Sequence, residues 1–380
     1  MSKIGNYVKQ TAGHKAFMPE RFPAQGLIEW SDDLIMLLSK ADLAIGKLNA
    51  IDQLVPDVDY FIKSFAKKEA ALSSQIEGTQ ATLIDLFKIE AKIFDEKVSD
   101  VDEITNYINA MNYGIGRIKT LPLSLRLIRE IHSMLLKGVR GQHRNPGEFR
   151  TTQNWIGGPT IETATFVPPP PHEMKQALSD LEDFLHKDKF QKLPALIKAG
   201  LIHAQFETIH PFLDGNGRTG RLLITFYLYK EGILCRPLLY ISEFFKKNRP
   251  DYYTKLNSYR FDKSTEEWLM FFLEGVRAVS EDAVLVAQKI RVIREKHLQT
   301  VSSFGRNAKT AMLLLDQFYT YPIIDLKLAM RLTGLSKARA IDLIDKFTNK
   351  EILKEITGKR RNRRFAYHQY IALFSKEKID

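Results

Sequence analysis

The sequence of 380 residues has one cysteine and lacks any long apolar run. The single cysteine, Cys235, excludes an internal disulfide, and a lone thiol is typical of a reducing compartment. A membrane-spanning helix needs about 20 consecutive apolar residues, and the opening residues MSKIGNYVKQ lack the apolar segment of a secretory signal. We therefore expect a cytoplasmic protein with no membrane partner, in which Cys235 is a small core side chain rather than a nucleophile.

Acidic residues are also scarce in one region. The net charge of the chain is +11, and between Arg306 and Asp380 there are 16 Lys and Arg against 8 Asp and Glu, a net of +8. Most of the positive excess therefore lies in the last fifth of the chain. An excess of this kind indicates an acidic partner such as nucleic acid.

Strand-like alternation is rare, and helical spacing of apolar residues dominates the chain. Its length allows two or three domains, each with its own core. Residues 1–30 lack a period and are expected to form an extended arm. Helices are predicted at 31–43, 59–76, 81–94, 105–118, 123–139, 172–187, 194–210, 217–231, 250–256 and 264–298. The predicted fold class is therefore mainly α.

The helical pattern breaks at 141–171, which is rich in Gly, Thr and Pro. Two short β-like runs, Gln153–Ile156 and Ala164–Val167, flank a turn with two glycines and a proline. This arrangement predicts a β-hairpin. The four prolines 168–171 end it, because proline has no N–H to donate to a strand ladder.

The last part of the chain has a different order of elements. Helices are predicted at 309–319, 326–333 and 337–349, and strand-like runs at 352–356 and 364–370 enclose the basic sequence GKRRNR. Three helices followed by a basic hairpin are typical of a winged-helix domain. We therefore divide the chain into an N-terminal helical region (1–104), a helical core (105–298) and a winged-helix domain (299–380).

The stretch HPFLDGNGRTGR, residues 210–221, contains a G-x-G-x-x-G pattern. That pattern marks a dinucleotide-binding fold only where a strand precedes it. Here the apolar residues before the glycines fall at positions 197, 201 and 204, and at 202, 206 and 209, which is helical spacing. We therefore reject the Rossmann interpretation.

The same stretch predicts a phosphate-binding loop. A helix ends near His210 and a buried one begins near Gly217, so the N–H groups of the loop and the helix dipole can face one anion. Arg218 and Arg221 follow in the first turn, where they can bind phosphate oxygens with two-pronged hydrogen bonds. Asp214 offers a carboxylate for a phosphate-bridging Mg²⁺, and His210 could take a proton from an attacking hydroxyl.

HPFLDGNGRTGR matches the motif HPFx(D/E)GNGRxxR without a departure, and on this motif the chain is identified as a member of the Fic family. The stretch from GEFRTTQNWIGG to TATFVPPPP is similar to the flap that clamps the family's protein substrate. Many bacterial members also carry a winged helix after the core. The resemblance implies a Fic-type catalytic core with a β-hairpin flap, and transfer of AMP from ATP to a Tyr, Thr or Ser hydroxyl of a protein.

The resemblance also implies the site residues, with ATP as substrate and Mg²⁺ as cofactor. His210 would be the general base, Asp214 the Mg²⁺ ligand, and Asn216 would steady charge on the α-phosphate. ATP would be bound by the loop, the turn after it and two later candidates: Gly215, Asn216, Gly217, Arg218, Thr219, Gly220, Arg221, Asn248 and Tyr253. For Tyr253 the alternative is a packed core tyrosine.

The flap, at about 153–167, would pair with an extended segment of the target protein by β-strand addition. The alternative is a hairpin with a purely structural role. The chain itself is a second expected target, through self-modification.

The segment KKEAALSSQIEGT, residues 67–79, resembles the regulatory segment of family members, because Ser73, Glu77 and Gly78 fit the pattern (S/T)xxxE(G/N). Ser73 and Glu77 are four apart and share a helix face. Glu77 lies in the last turn, where the helix dipole disfavours a carboxylate. The resemblance implies that Glu77 pairs with Arg221 in place of the γ-phosphate and inhibits the enzyme from within the chain. The alternative is an ordinary surface glutamate.

Two other functions stay open. Related Fic proteins can remove AMP, or transfer another phosphate-containing group, at the same site. The basic C-terminal domain favours a DNA-binding regulator, with Lys337, Arg339 and Lys346 on the candidate recognition helix and GKRRNRRF as a wing able to contact phosphate. The alternative for this domain is a winged helix that docks a protein.

Overall fold

The computed structural model describes residues 4–24, 26–53, 58–91, 100–187, 192–261 and 264–375. Helices dominate this part of the chain, which confirms the mainly α fold class. Among these residues there is no helix both long enough and apolar enough to span a bilayer.

The N-terminal elements are β1 (Gly5–Lys9), β2 (Lys15–Pro19), α1 (Asp32–Asn49), α2 (Val58–Ile76) and α3 (Leu83–Glu90). The extended arm predicted for residues 1–30 therefore contains an antiparallel hairpin, with Tyr7 opposite Phe17. Phe17 donates its N–H to the carbonyl of Val167 (2.9 Å). The hairpin thus packs beside the end of the predicted flap.

The central elements are α4 (Val101–Arg117), α5 (Leu125–Leu135), α6 (Pro171–His186), α7 (Ala195–Ile209), α8 (Asn216–Lys230), α9 (Ser242–Lys247), α10 (Arg249–Phe261) and α11 (Thr265–Ser302). α7 and α8 pack against each other, and each is buried over nearly its whole length. A helix that is apolar all round belongs in a core. The loop that joins these two helices therefore rests on two closely packed, buried helices.

Several predicted helix boundaries differ from the structure, of which α3 and α4 are two examples, and α9 was not predicted. α3 begins with a reciprocal cap between Thr82 and Asp85 and ends at Glu90, and the predicted residues 92–94 lie outside the described part of the chain. α4 begins four residues before its predicted start, because two acidic residues in its first turn favour a helix N-terminus.

The C-terminal elements are α12 (Ala308–Gln317), β3 (Ile323–Asp325), α13 (Leu326–Thr333), α14 (Lys337–Asn349), β4 (Lys354–Glu355), β5 (Arg364–Ala366) and α15 (His368–Ile371). The strands form an antiparallel sheet in the order β3-β5-β4. β3 was not predicted, because three residues give too short a pattern. The strand predicted at 364–370 ends at Ala366, and Tyr370 lies in α15 instead, where it is buried.

α2 touches the C-terminal elements through its first half. Ser64 Oγ lies 2.7 Å from the hydroxyl of Tyr370, and the rings of Phe65 and Phe374 meet edge to face at 5.2 Å. α11, with 38 residues and a length of about 57 Å at 1.5 Å per residue, connects the same two regions and packs on α12. The C-terminal elements are therefore anchored to the core by two separate helices.

Cys235 is exposed, so its predicted core position is wrong. It lies in the turn after α8, where Leu234 is buried and the following residue points outward. Its N–H donates to Asn49 Oδ1 (3.0 Å).

Candidate active site

The loop between α7 and α8 is held in a single shape by its own residues. His210 ends α7 in a left-handed conformation (φ 47°, ψ 60°), and Gly215 precedes α8 with φ 76°. Between them Phe212 is fully buried. The side-chain amide of Asn216 accepts from Phe212 N (2.9 Å) and donates to Phe212 O (2.8 Å). The amide expected to steady an α-phosphate is therefore engaged inside the loop.

His132, on α5, supports the loop from below and was not predicted. Its ring stacks on Phe212 with centroids 3.6 Å apart. Gly147 N donates to Nδ1 (2.8 Å), so the proton of the neutral ring is on Nε2, which donates to the carbonyl of Asp214 (2.8 Å). Burial lowers the pKa of His132 to about 4, and the ring is neutral at physiological pH.

Arg150, between α5 and α6, is a second support that was not predicted. It is buried, its Nε donates to the carbonyl of His210 (3.0 Å), and its backbone N–H donates to that of Pro211 (2.9 Å). Asn154 Nδ2 donates to the carbonyls of His210 (3.2 Å) and Phe212 (2.9 Å). These bonds fix the left-handed turn at His210. Burial lowers the pKa of Arg150 to about 10, which leaves it charged.

The side chain of His210 lies at the surface end of α7 and is one-fifth exposed. Its Nδ1 points inward, 3.6 Å from Glu207 Oε2, and has no hydrogen-bond partner among the described residues. The other ring nitrogen is thus left for an incoming group.

The side chain of Arg218, which is expected to bind phosphate, lies behind the loop. Its side chain is fully buried, with Nη1 3.1 Å from Glu103 Oε2 and Nη2 3.6 Å from Asp214 Oδ1. Asp214 is one-third exposed and accepts from Gly215 N (2.6 Å). Thr219 donates its hydroxyl to the carbonyl of Gly215 (2.9 Å) and so stabilises the first turn of α8. The structure therefore places Arg218 behind the loop and Asp214 at its rim.

Arg221 is buried against the end of α2, as the resemblance implied. Its Nε donates to Ser73 Oγ (2.8 Å), and Nη2 donates to Ser73 O (2.9 Å) and Glu77 Oε1 (2.7 Å). Burial acts to lower the pKa of Arg221, but the Glu77 carboxylate outweighs it and raises the pKa. Gly78, with φ 96°, ends the helix directly after Glu77. An ordinary surface glutamate would have none of these contacts.

Glu103, on α4, joins the end of α2 to the loop and was also missed. It is buried, accepts from Thr79 Oγ1 (2.7 Å) and pairs with Arg218 (3.1 Å). Arg140 lies 3.7 Å from the same carboxylate and donates to the carbonyl of Glu77 (3.1 Å). The segment with Glu77 and the first arginine of the motif therefore share one buried acid.

The two later candidates lie at α9 and α10. Asn248 ends α9, with Nδ2 on the carbonyl of Phe244 (2.9 Å). Tyr253 is 37% exposed, so the alternative of a packed core tyrosine is wrong. Burial and the charge of Glu77 raise the pKa of Tyr253, and Arg221 acts in the opposite direction. Tyr253 thus lies near the Glu77–Arg221 pair, with its ring at the surface.

The predicted hairpin is present in a reduced form. Ile156 and Phe166 make an antiparallel bridge, with N–H···O distances of 2.8 and 3.1 Å. The two β-like runs shorten to this bridge, because glycines 157–158 both have positive φ and Ile161–Thr163 forms a 3₁₀ turn. Its outer backbone is exposed between these points.

Comparison with known proteins finds two family matches. The family model described as Fic/DOC family matches residues 122–228, and the one described as Fic/DOC family N-terminal matches residues 35–116. Proteins named protein adenylyltransferase Fic are 33% identical in Drosophila grimshawi and 32% identical in Drosophila willistoni, each over 184 residues. The matched region is 44% of this chain, and it spans 35% and 34% of those proteins.

Two solved structures share the fold. A Fic family protein from Desulfovibrio desulfuricans G20 superposes with a TM-score of 0.58 at 18% identity, over 90% of this chain and 98% of its own. A Fic domain containing signaling protein from Bacteroides thetaiotaomicron gives a TM-score of 0.50 at 21% identity, over 68% of this chain and 97% of its own. The expected Fic-type helical core is thereby confirmed.

Proposed function

The chain belongs to the Fic/DOC family, and we propose that it is a cytoplasmic protein adenylyltransferase. A Tyr, Thr or Ser hydroxyl of a target protein attacks the α-phosphorus of ATP. The new O–P bond forms as the bond to the β-phosphate oxygen breaks, and pyrophosphate leaves. His210 takes the hydroxyl proton on the ring nitrogen that faces away from Glu207.

The observation that carries this proposal is the junction of two buried helices around a partly buried loop. The first N–H groups of α8 have no partner within the helix and sum with its dipole to attract phosphate. Arg221 adds a positive charge one turn further on. Arg150 and His132 fix His210 and Asp214 on the two sides of the loop. Positioning and charge neutralisation of this kind are the main requirements of phosphoryl-type transfer.

Asp214 is the residue that would hold Mg²⁺. The described residues contain no group of three His, Cys, Asp or Glu side chains able to bind a metal alone. A single rim carboxylate fits the usual nucleotide-bound Mg²⁺, which takes one or two protein carboxylates together with phosphate oxygens and water. When bound, the ion neutralises phosphate charge.

Glu77 would act as an internal inhibitor. Its carboxylate forms a salt bridge with Arg221 (2.7 Å). The guanidinium of Arg221 is the group that we assign to binding the γ-phosphate. ATP that binds beside Glu77 would lack that contact and take an unproductive pose. Because Glu77 is on α2 of the same chain, inhibition needs no second protein.

The target protein would dock on the flap at 153–167, whose bridged loop offers backbone groups for β-strand addition. Self-modification uses the same route and supplies a convenient assay. The division into 1–104, 105–298 and 299–380 remains part of this proposal.

The C-terminal elements support a second function. The groove between α14 and the β4–β5 loop is lined by basic side chains, among them Lys327, Lys337, Arg360, Arg361 and Arg363. We infer a winged helix whose groove binds the phosphates of DNA, and neither this nor protein docking excludes AMP transfer. Mobility shifts at two salt concentrations test it, because phosphate contacts weaken steeply with salt. Binding that is independent of salt would contradict it.

Labelled ATP tests the main proposal. The full chain and its Glu77→Gly variant are incubated with Mg²⁺ and ATP labelled on the α- or the γ-phosphate. Stable incorporation of the α label, with an AMP adduct by intact mass, is expected. Incorporation of the γ label would instead indicate phosphate transfer. An AMP adduct that disappears when ATP is removed would favour de-AMPylation.

A further inference from the structure

A buried carboxylate lies directly beneath His210. Glu207 precedes it by one turn of α7 and is 6% exposed, and its Oε2 lies 3.6 Å from His210 Nδ1. Within the described part of the chain, His210 Nδ1, Glu207 Oε1 and His203 Nδ1 are buried without a hydrogen-bond partner. Oε1 and His203 Nδ1 both lie beside Gly220, whereas Oε2 is the oxygen near His210. A buried donor or acceptor without a partner is unfavourable, so the unpaired His210 Nδ1, 3.6 Å from Oε2, indicates a bond that forms in the working state.

Gly220 in α8 makes room for this carboxylate. A β-carbon at position 220 would stand 2.8 Å from Glu207 Oε1 and 3.3 Å from His203 Nδ1. The last glycine of the G-x-G-x-x-G pattern therefore allows α8 to approach Glu207. The close approach places Oε1 beside Gly220, and Oε2 is the oxygen that lies 3.6 Å from His210 Nδ1.

Glu207 stays ionised in this position. Burial favours the protonated carboxyl, but His210, His203 and Arg221 outweigh it and lower the pKa of Glu207 to about 2. Burial lowers the pKa of His203 to about 4, so His203 is neutral and bonds the hydroxyl of Tyr252 (2.8 Å). The charged and titratable groups around Glu207 and His210 are His203, Arg221, Tyr252, Arg260 and Arg150.

We propose that Glu207 is a positioning residue for His210. Its carboxylate accepts the Nδ1–H of the imidazole, which leaves the Nε2 lone pair to take the proton of the attacking hydroxyl, and its charge stabilises the imidazolium that results. This rests on the proposed function of His210 as base. The gap of 3.6 Å closes by a small rotation of the ring, as in other sites where such bonds tighten when substrate binds.

The proposal predicts the tautomer of His210. The Glu207 carboxylate can accept a proton from Nδ1, so the neutral imidazole of the unaltered chain should carry its proton there. Glu207→Gln keeps the shape of the side chain and removes its charge. The preference for the Nδ1–H tautomer should therefore weaken in that variant.

Nitrogen-15 NMR of the full-length chain measures the tautomer ratio without any AMP transfer. The His210 signal is identified by its loss in His210→Asn. Thr208→Val is the matched control, since it removes a neighbouring buried hydroxyl that accepts from Arg260 (3.2 Å) and is expected to leave His210 unchanged. An unchanged tautomer ratio for His210 in Glu207→Gln, or an Nε2–H tautomer in the unaltered chain, would overturn the proposal.

The dependence of kcat on pH is a further measurement, which a general loss of structure would not shift along the pH axis. In the Glu77→Gly background, Glu207→Gln should lower kcat by about 100-fold or more, within the 10²–10⁴-fold that a general base typically contributes, with KM for ATP nearly unchanged. The acid limb of the kcat–pH profile should move to lower pH. An unmoved limb would contradict the role of Glu207. Absence of AMP transfer in every variant would refute the proposed function, while the NMR result would still decide the pairing.

Discussion

A β-carbon added to Gly217 would stand 2.0 Å from Glu77 Oε1. Gly217 is in the first turn of α8 and has no positive φ, so its backbone does not demand glycine. The absence of a side chain there serves the contact between the motif and the end of α2. Gly217, a glycine of the phosphate-binding loop, thus also leaves the space that the Glu77 carboxylate fills.

Gly217→Ala should destabilise the chain only while Glu77 is present. The added methyl group forces Glu77 aside, at about 1–3 kcal/mol for overpacking of this kind. In Glu77→Gly the same change should be neutral or stabilising, because Ala is favoured over Gly in helices by about 1 kcal/mol. Thermal unfolding of the two single variants and the double variant gives the coupling. Additive effects would refute the contact.

Glu77→Gly should raise AMP transfer and self-modification. The change frees Arg221 for the γ-phosphate, so incorporation of labelled AMP should increase tenfold or more, equivalent to at least about 1.4 kcal/mol of binding energy restored. Glu90→Gln is the matched control: Glu90 also forms an ion pair, with Lys67 (2.5 Å), and its side chain is 32% exposed against 30% for Glu77. Equal incorporation by the Glu77 variant and the unaltered chain would exclude inhibition.

His210→Ala, made in the Glu77→Gly background, should abolish AMP transfer and retain ATP binding. The imidazole is one-fifth exposed and its backbone, not its side chain, carries the bonds that hold the loop. Calorimetric titration with ATP should therefore give an affinity within about twofold of the parent, less than 0.5 kcal/mol. Turnover that survives in this variant would remove His210 as the base.

Stability should fall between about pH 6.5 and pH 4. His132 and His203 each have a pKa of about 4 in the folded chain, below the value of about 6.5 for an exposed histidine. The unfolded chain then binds protons that the folded chain does not as the pH falls. At pH 5 each histidine should reduce the free energy of unfolding by about 2 kcal/mol relative to pH 7.5.

Thermal unfolding at the two pH values checks this dependence. His132→Gln should be less stable than the unaltered chain at pH 7.5, because the stack on Phe212 is lost, but should show a smaller drop at pH 5. A drop of the same size in the variant would mean that His132 contributes nothing to it.

The part of the site that could be predicted is the part that is continuous in sequence. Residues 210–221 carry the loop, the helix junction and Arg221, and their spacing indicates a phosphate site without further information. The pairing of Ser73 and Glu77 with Arg221 required the family pattern, because helix spacing shows that two side chains share a face but not what they face. The first prediction depends on one motif, and the second joins two motifs that are more than 140 positions apart.

The residues that sequence analysis missed act through backbone groups or through distant elements. His132 and Arg150 donate to backbone carbonyls of the loop. Every residue has a backbone carbonyl, so the sequence does not show which carbonyl accepts such a bond. Glu103 meets Arg218 across 115 positions. The burial of Arg218 could not be predicted for the same reason, since only the packing of α4 on α8 shows that an acid lies beside it.

α2 begins against the C-terminal elements and ends at Glu77. The hydroxyl contact of Ser64 with Tyr370 and the salt bridge of Glu77 with Arg221 lie at opposite ends of one continuous helix, about 20 Å apart at 1.5 Å per residue. If binding at one end of the helix changes the affinity at the other end, the effect is equal in both directions. A molecule that binds the C-terminal elements with higher affinity when α2 is displaced would free Arg221 from Glu77. Nucleotide bound to Arg221 would then raise the affinity for that molecule by the same factor. α2 would in this way make the occupancy of the C-terminal elements and the availability of Arg221 depend on each other.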